Sequence, residues 1–241
     1  MSIPKFRERW PRDNHILAAI FRALGLPIWA VDSLFFADCK NAATVNRVVS
    51  RLRKSGMLIG FPLFGRTLYL RLGPAAVAKY GLKATESEPL DYHRLLAAMA
   101  TNMYCFANPD QIRKRALPCE VESTFSIPTQ HLYARPFVIR TYPDRQPDLL
   151  QIRVAMDAQA GKVLASHQAS MHEYRDDALM RRLIDEGRFV MVTFFPTEAA
   201  WSPAKELFER ARTSGNYFAK FETYVYPDLL KITPQHKEPK E

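Results

Sequence analysis

The sequence predicts a mixed α+β chain built from two domains of different character. The first third shows apolar residues at helical spacing in three short segments, and two strand-like runs follow them. From about residue 137 onward, strand-like runs alternate with helical ones instead. The chain has 241 residues, of which 47% are hydrophobic, so each part can build a packed core.

The net charge of +9 is concentrated in the first 85 residues. These hold 14 Lys and Arg against 4 Asp and Glu, whereas the remainder holds 20 against 21. A basic segment of this kind indicates a polyanionic partner, and nucleic acid is the commonest one. The alternative is a solvated basic face that serves solubility.

Three helices are predicted in the basic segment. Asp13 and Asn14 are candidate N-caps for the first helix, which ends before Gly25 and Pro27. A second short apolar pattern covers residues 28–36. The third helix has an apolar stripe at positions i, i+3, i+4 and i+7, formed by Val45, Val48, Val49 and Leu52.

A hairpin follows the third helix. Two β-type runs, residues 57–64 and 67–72, flank the turn residues Gly65 and Arg66, and a short helix then runs to Tyr80. Three helices followed by a hairpin are typical of a winged helix-turn-helix, so we predict this fold for residues 1–85, with double-stranded DNA as its ligand.

The third helix is the predicted recognition helix, because its polar face is basic. Asn and Arg can bind adenine and guanine edges bidentately, whereas Ser and Lys more often contact phosphates. The predicted DNA-binding residues are Lys40, Asn46, Arg47, Ser50, Arg51 and Lys54 on this helix, and Arg66 at the hairpin tip. The alternatives are an ordinary amphipathic surface helix and a winged helix that binds protein.

Residues 84–91 are predicted to be a linker, and residues 92–232 a second, α/β domain. We expect helices over residues 92–106, 169–186 and 203–214. Strands are expected at residues 137–142, 149–154, 163–166, 188–195 and 221–226. Residues 107–136 are interpreted as irregular, and residues 233–241 as a disordered tail.

Four segments resemble the plasmid replication-relaxation family. They are residues 12–17 (RDNHIL), 32–36 (DSLFF), 48–58 (VVSRLRKSGML) and 67–77 (TLYLRLGPAAV). The resemblance implies DNA binding in replication, mobilisation or gene control of a plasmid or other mobile element. It also implies a second domain similar to restriction endonucleases, in which a Pro-Asp pair precedes a strand bearing Glu-x-Asp or Glu-x-Lys.

The nuclease pattern is degenerate in this chain. Pro147 and Asp148 precede a predicted strand, and Asp157 and Lys162 follow it. Ala155 stands where a second carboxylate belongs, Arg153 on the same strand opposes cation binding, and Lys162 lies beyond Gly161 in a predicted turn. Glu120 or Glu122 could add a ligand, but nothing in the sequence places them. We therefore expect no catalytic residue, no metal and no cofactor, although an active nuclease or an unrelated α/β fold stays open.

Other patterns indicate no further chemistry. His167 and His172 are predicted to be exposed on a helix, since their spacing of five does not fit a zinc-binding helix. The three cysteines, Cys39, Cys105 and Cys119, are odd in number and widely spaced, which fits a reducing cytoplasm. No stretch is long and apolar enough for a membrane span.

The sequence thus predicts a cytoplasmic, sequence-specific DNA-binding protein of a mobile element or phage-like region. It would act as a transcriptional regulator or as an accessory factor in replication or mobilisation. A homodimer is expected, because such regulators commonly bind inverted repeats, and the second domain would provide dimerisation or a protein partner. Two alternatives are a metal-dependent endonuclease targeted by its winged helix and a protein-interaction accessory of a defence or transfer complex.

Overall fold

The computed structural model describes the chain except for residues 1–4, 9–10, 38–42, 107–111, 129–135, 157–158, 216–218 and 233–241. Its contacts divide the chain into two compact units, of which the larger parts are Ile3–Ala98 (the N-terminal unit) and Met99–Lys231 (the C-terminal unit). Helices and two separate sheets are present, so the predicted mixed α+β class is confirmed.

The N-terminal unit contains four α-helices and one sheet among its described residues. The helices are α1 (Pro11–Ala23), α2 (Ile28–Phe35), α3 (Ala43–Lys54) and α4 (Pro74–Tyr80). A two-residue strand, β1 (Leu26–Pro27), joins the hairpin of β2 (Leu58–Phe64) and β3 (Thr67–Leu72) in an antiparallel sheet of order β1-β3-β2. The core lies between this sheet and the helices, with Ile16, Leu17 and Leu70 fully buried.

A tight turn fixes where α3 ends. Gly56 has φ +68°, the left-handed conformation that glycine adopts at little cost. The amide of Met57 donates to the carbonyl of Leu52, and the amide of Gly56 donates to that of Arg53. The Gly56 carbonyl then accepts from Ala75, and a Cβ on Gly73 would lie only 2.1 Å from that carbonyl oxygen. The end of α3 is therefore hydrogen-bonded to the start of α4 and packed tightly against it.

The predicted linker is tied to the sheet of the N-terminal unit. It contains a 3-10 helix at Ala84–Ser87. The buried guanidinium of Arg71 on β3 donates to the carbonyl of Glu88 and pairs with the Glu86 carboxylate at 3.3 Å. The Tyr69 hydroxyl accepts the amide of Leu90 at 2.9 Å. The compact unit accordingly extends past residue 85, and its boundary falls within helix α5 (Tyr92–Phe106).

The C-terminal unit has a five-stranded sheet of order β4-β5-β6-β7-β8. The strands are β4 (Ile112–Arg115), β5 (Phe137–Thr141), β6 (Asp148–Val154), β7 (Phe189–Phe195) and β8 (Lys220–Val225). Strand β5 pairs antiparallel with both β4 and β6, whereas β7 pairs parallel with both β6 and β8. The remaining helices are α6 (Pro118–Phe125), α7 (Ala160–Asp176), α8 (Ala178–Asp185) and α9 (Glu198–Thr213).

Every residue of the central strand β7 is buried, as expected for a strand covered on both faces. One face packs on the core that includes Phe125, Leu183 and Phe208. On the other face, Phe194 contacts the ring of Tyr104, which comes from the C-terminal part of α5. This second face carries the polar residues described below.

Several sequence-based predictions for this unit need correction. Residues 163–166 are not a strand but part of α7, which begins at Ala160, well before the predicted start at residue 169. Gly161 and Lys162 are therefore helical and do not form a turn. A short strand and a helix, β4 and α6, lie within residues 107–136, so the prediction that this segment is irregular is wrong there. The predicted tail, 233–241, lies outside the described residues.

Candidate nucleic-acid interface

Helix α3 presents a polar face to solvent. Val45, Val49 and Leu52 are buried against the core of the N-terminal unit, and Val48 is half-buried. The predicted contact residues that the structure describes on this helix are all exposed, namely Asn46, Arg47, Ser50, Arg51 and Lys54. Lys40 lies outside the described residues.

Most of the cations on this surface have no counter-ion within the described part of the chain. Arg47, Lys54 and Arg66 make neither an ion pair nor a side-chain hydrogen bond there. Their positive charge is consequently not neutralised by any acidic side chain among the described residues. Three of the last four residues of α3 are basic, and their charges interact favourably with the negative end of the helix dipole.

Arg51 differs from its neighbours because it is paired. Its two terminal nitrogens donate to the two carboxylate oxygens of Asp13 on α1, at 2.8 and 2.9 Å. Asp13 is almost completely buried, and its carboxylate raises the pKa of Arg51. This bidentate pair joins α3 to α1, so both terminal nitrogens of Arg51 already donate hydrogen bonds inside the N-terminal unit.

Arg66 stands at the tip of the β2–β3 hairpin. Phe64 pairs with Thr67, which leaves Gly65 and Arg66 as the turn, and Gly65 has a φ of +54°. Arg66 is exposed. The structure therefore places this cation where the prediction required, at the end of a two-stranded projection.

Sequence reasoning missed Arg53. It is exposed on α3 and, like Arg47, has no ion pair among the described residues. Its guanidinium lies over Gly60 of β2, since a Cβ built on that glycine would be 3.5 Å from Arg53 Cζ. Arg53 follows Asn46 by seven residues and Ser50 by three, so helical spacing already places it on the same side of α3, a signal that the sequence analysis did not use.

Asp148, the candidate nuclease carboxylate, is buried, and arginine side chains of the protein bind it. It is the first residue of β6 and is 1% exposed. Its Oδ2 accepts from Arg140 at 2.9 Å, from the Tyr142 hydroxyl at 2.7 Å and from Arg145 at 3.2 Å. Its Oδ1 has no hydrogen-bond partner among the described residues.

Arg140 bridges Asp148 to a second carboxylate. Its other terminal nitrogen donates to Glu222 at 2.6 Å and to the Tyr104 hydroxyl at 3.1 Å. Burial alone would raise the pKa of Glu222, but hydrogen bonding and the charge of Arg140 outweigh it and lower that pKa. The guanidinium thus stands between the two acidic side chains and donates a hydrogen bond to each of them.

The remaining nuclease candidates do not join this cluster. Glu120 caps the start of α6 through the amide of Leu117 and pairs with Lys114, while Glu122 is exposed. Arg153 on β6 donates to Ser166 of α7 at 2.7 Å. Asp157 lies outside the described residues. Within the part of the chain that is described, no three His, Cys, Asp or Glu residues are grouped to hold a metal.

The two histidines differ, contrary to the expectation that both are exposed. His172 is exposed, but His167 is buried, with its Nε2 at 2.9 Å from the Thr193 hydroxyl and its ring edge-on to Phe208. Burial, followed by the charge of Arg153, lowers the pKa of His167 to about 3. His167 is therefore a neutral core residue at physiological pH.

The chain was compared with protein-family models, curated proteins and solved structures, and none of the three comparisons finds a match. Within the described residues, no helix combines the length and the apolar character that crossing a bilayer requires.

Proposed function

We propose that the N-terminal unit is a winged helix-turn-helix that binds double-stranded DNA. Its order of elements, α1-β1-α2-α3-β2-β3 with sheet order β1-β3-β2, supports this fold. The observation that carries the proposal is the exposed face of α3, where Asn46 and Arg47 stand beside cations that have no ion pair with any described residue.

In this proposal α3 enters the major groove. Asn46 and Arg47 have the side chains that read adenine and guanine edges, whereas Lys54 and Arg66 contact phosphates. Arg51 is assigned a different role from the one predicted from sequence. Because it is bound bidentately to Asp13, it sets the position of α3 and does not read a base.

Selection from a random duplex library tests sequence recognition. The full chain should enrich a defined motif, and the recovered duplex should bind more tightly than a scrambled one in fluorescence anisotropy. Arg47→Ala should reduce that preference by about 1–3 kcal/mol. Arg212→Ala, at an exposed site of the C-terminal unit, is the matched control and should change nothing. Failure to enrich any motif would contradict sequence-specific binding.

For the C-terminal unit we propose a nuclease-like domain without catalytic activity, which serves dimerisation or partner binding. The mixed sheet with parallel β6, β7 and β8 supports the likeness, and the position of Arg140 between Asp148 and Glu222 supports the loss of activity. Supercoiled plasmid incubated with the protein and Mg²⁺ or Mn²⁺ should stay intact. Nicking that disappears in Asp148→Ala would refute this assignment.

We base the proposed biological setting on the sequence resemblance. A DNA-binding unit joined to an inactive nuclease-like domain fits a regulator, or a replication or mobilisation accessory factor, of a mobile element. A gel shift with the DNA immediately upstream of its own gene tests the regulatory form of this proposal. A homodimer in sedimentation experiments would support recognition of inverted repeats.

A further inference from the structure

An open groove of about 450 Å³ lies between the C-terminal half of α3 and strand β2. Ser50, Arg53 and Lys54 line its helix side, and residues of the hairpin and the α4 start line the rest. None of its lining residues is acidic, and two of them are cations without an ion pair among the described residues. The groove therefore offers positive charge and a hydroxyl to an anionic ligand.

Gly60 makes room in this groove. Its backbone is not in the left-handed region, so the conformation of β2 does not require glycine there. A glycine inside a strand weakens the strand and often marks the close approach of a ligand or another backbone. Here a Cβ would lie 3.2 Å from the Leu68 side chain and 3.5 Å from the Arg53 guanidinium carbon. A larger side chain would narrow the groove at Arg53.

The groove adjoins the proposed recognition face. Ser50 and Lys54 belong to both, because they are exposed on α3 and also line the groove. A duplex that offers its major groove to Asn46 and Arg47 would therefore bring a flanking sugar-phosphate strand to the hairpin side of the helix.

We propose that this groove binds the phosphodiester backbone of duplex DNA, with Arg53 as the principal phosphate contact. The proposal rests on the function proposed above and adds a second, sequence-independent contact to it. Arg53 gives affinity but no sequence discrimination, because a phosphate carries the same charge beside every base pair.

The test is the salt dependence of binding by the full chain, measured with a selected duplex and a scrambled one. Arg53→Ala should weaken both complexes by the same factor and reduce the slope of log K against log salt by about 0.9. Gly60→Val should act in the same direction, while Lys83→Ala, exposed but outside the groove, should leave the slope unchanged. Unchanged melting temperatures confirm that the exposed variants are folded.

The outcomes separate this inference from the proposed function. If Arg47→Ala lowers sequence preference but Arg53→Ala leaves affinity and slope unchanged, the groove assignment is wrong and the recognition helix stands. If Arg53→Ala alters discrimination between the two duplexes, Arg53 reads bases and the assignment is also wrong. Equal binding of single-stranded DNA, or no DNA binding at all, overturns both proposals.

Discussion

Replacement of Arg140 by methionine should destabilise the C-terminal unit strongly. The Arg140 side chain is 9% exposed and forms ion pairs with Asp148 and Glu222, with N–O distances of 2.9 and 2.6 Å. Methionine keeps much of the volume but leaves both carboxylates without this cation. Removal of one partner from a buried ionic network costs about 3–5 kcal/mol, so we expect a loss in that range.

Arg145 provides a matched control because it donates to the same Oδ2 of Asp148. Its side chain is 45% exposed, and the bond measures 3.2 Å. Solvent screens such a pair, so Arg145→Ala should cost no more than about 1 kcal/mol. The two arginines thus share one acceptor atom and differ in burial.

Hydrogen exchange of the amides of β7 provides the assay, because this fully buried strand reports the opening of the C-terminal unit by itself. Arg140→Met should lower the protection of these amides far more than Arg145→Ala. Equal effects of the two variants would refute the reasoning from burial. The difference between wild type and Arg140→Met should also shrink below about pH 4.5, as Glu222, whose pKa the fold lowers from 4.5, becomes protonated.

Three further predictions concern other contacts. The fold lowers the pKa of His167 from 6.5 to about 3, so as the pH falls the unfolded chain binds a proton at this residue before the folded chain does. The free energy of unfolding should therefore fall by about 2 kcal/mol between pH 7 and pH 5. Urea titrations of His167→Gln should show no such fall. Arg51→Ala leaves the buried Asp13 carboxylate without its bidentate partner. Because Arg51 is partly solvated, this change should lower the free energy of unfolding by only about 1–2 kcal/mol in thermal unfolding. A variant as stable as the wild type would contradict the role assigned to the pair. In Gly73→Ala the new Cβ would lie 2.1 Å from the Gly56 carbonyl oxygen. This clash should lower the free energy of unfolding by about 3 kcal/mol or more. An unchanged melting temperature would show that the end of α3 is not tightly packed against the start of α4.

The sequence predicted elements well where the apolar pattern was strong and local. Helix α5 spans Tyr92–Phe106 as predicted, and β7 differs from its predicted range by one residue. The prediction failed for residues 160–168, the first half of α7, where His167 lies on the buried face. A polar residue at a buried position hides the helical period from a reading based on apolar residues.

Strand β4 illustrates a second limit. Three of its four residues are basic, so no alternation of apolar and polar positions marks it. Charged residues are common on edge strands, where they discourage pairing with other chains. Only its pairing with β5 identifies this segment as a strand.

The exposed face of α3 could be predicted from helical spacing, but the partners of its residues could not. Arg51 meets Asp13 across 38 residues of sequence, and Arg140 meets Glu222 across 82. Long-range ion pairs depend on the packing of distant elements, which local patterns do not contain. For this reason the sequence alone could not show that Arg51 pairs with Asp13, and it offered no role for Arg140.

The most direct test of the central claim is a salt titration of duplex binding by the wild type and by a triple variant, Arg47→Ala, Lys54→Ala and Arg66→Ala. These three cations are exposed, and none has an ion pair within the described residues. Lys54 and Arg66 are the proposed phosphate contacts, so their loss should lower the slope of log K against log salt by about 1.8, with affinity reduced most at low salt. The loss of Arg47, the proposed base contact, should remove sequence preference. An unchanged slope and affinity would show that α3 and the hairpin tip do not form the DNA-binding surface.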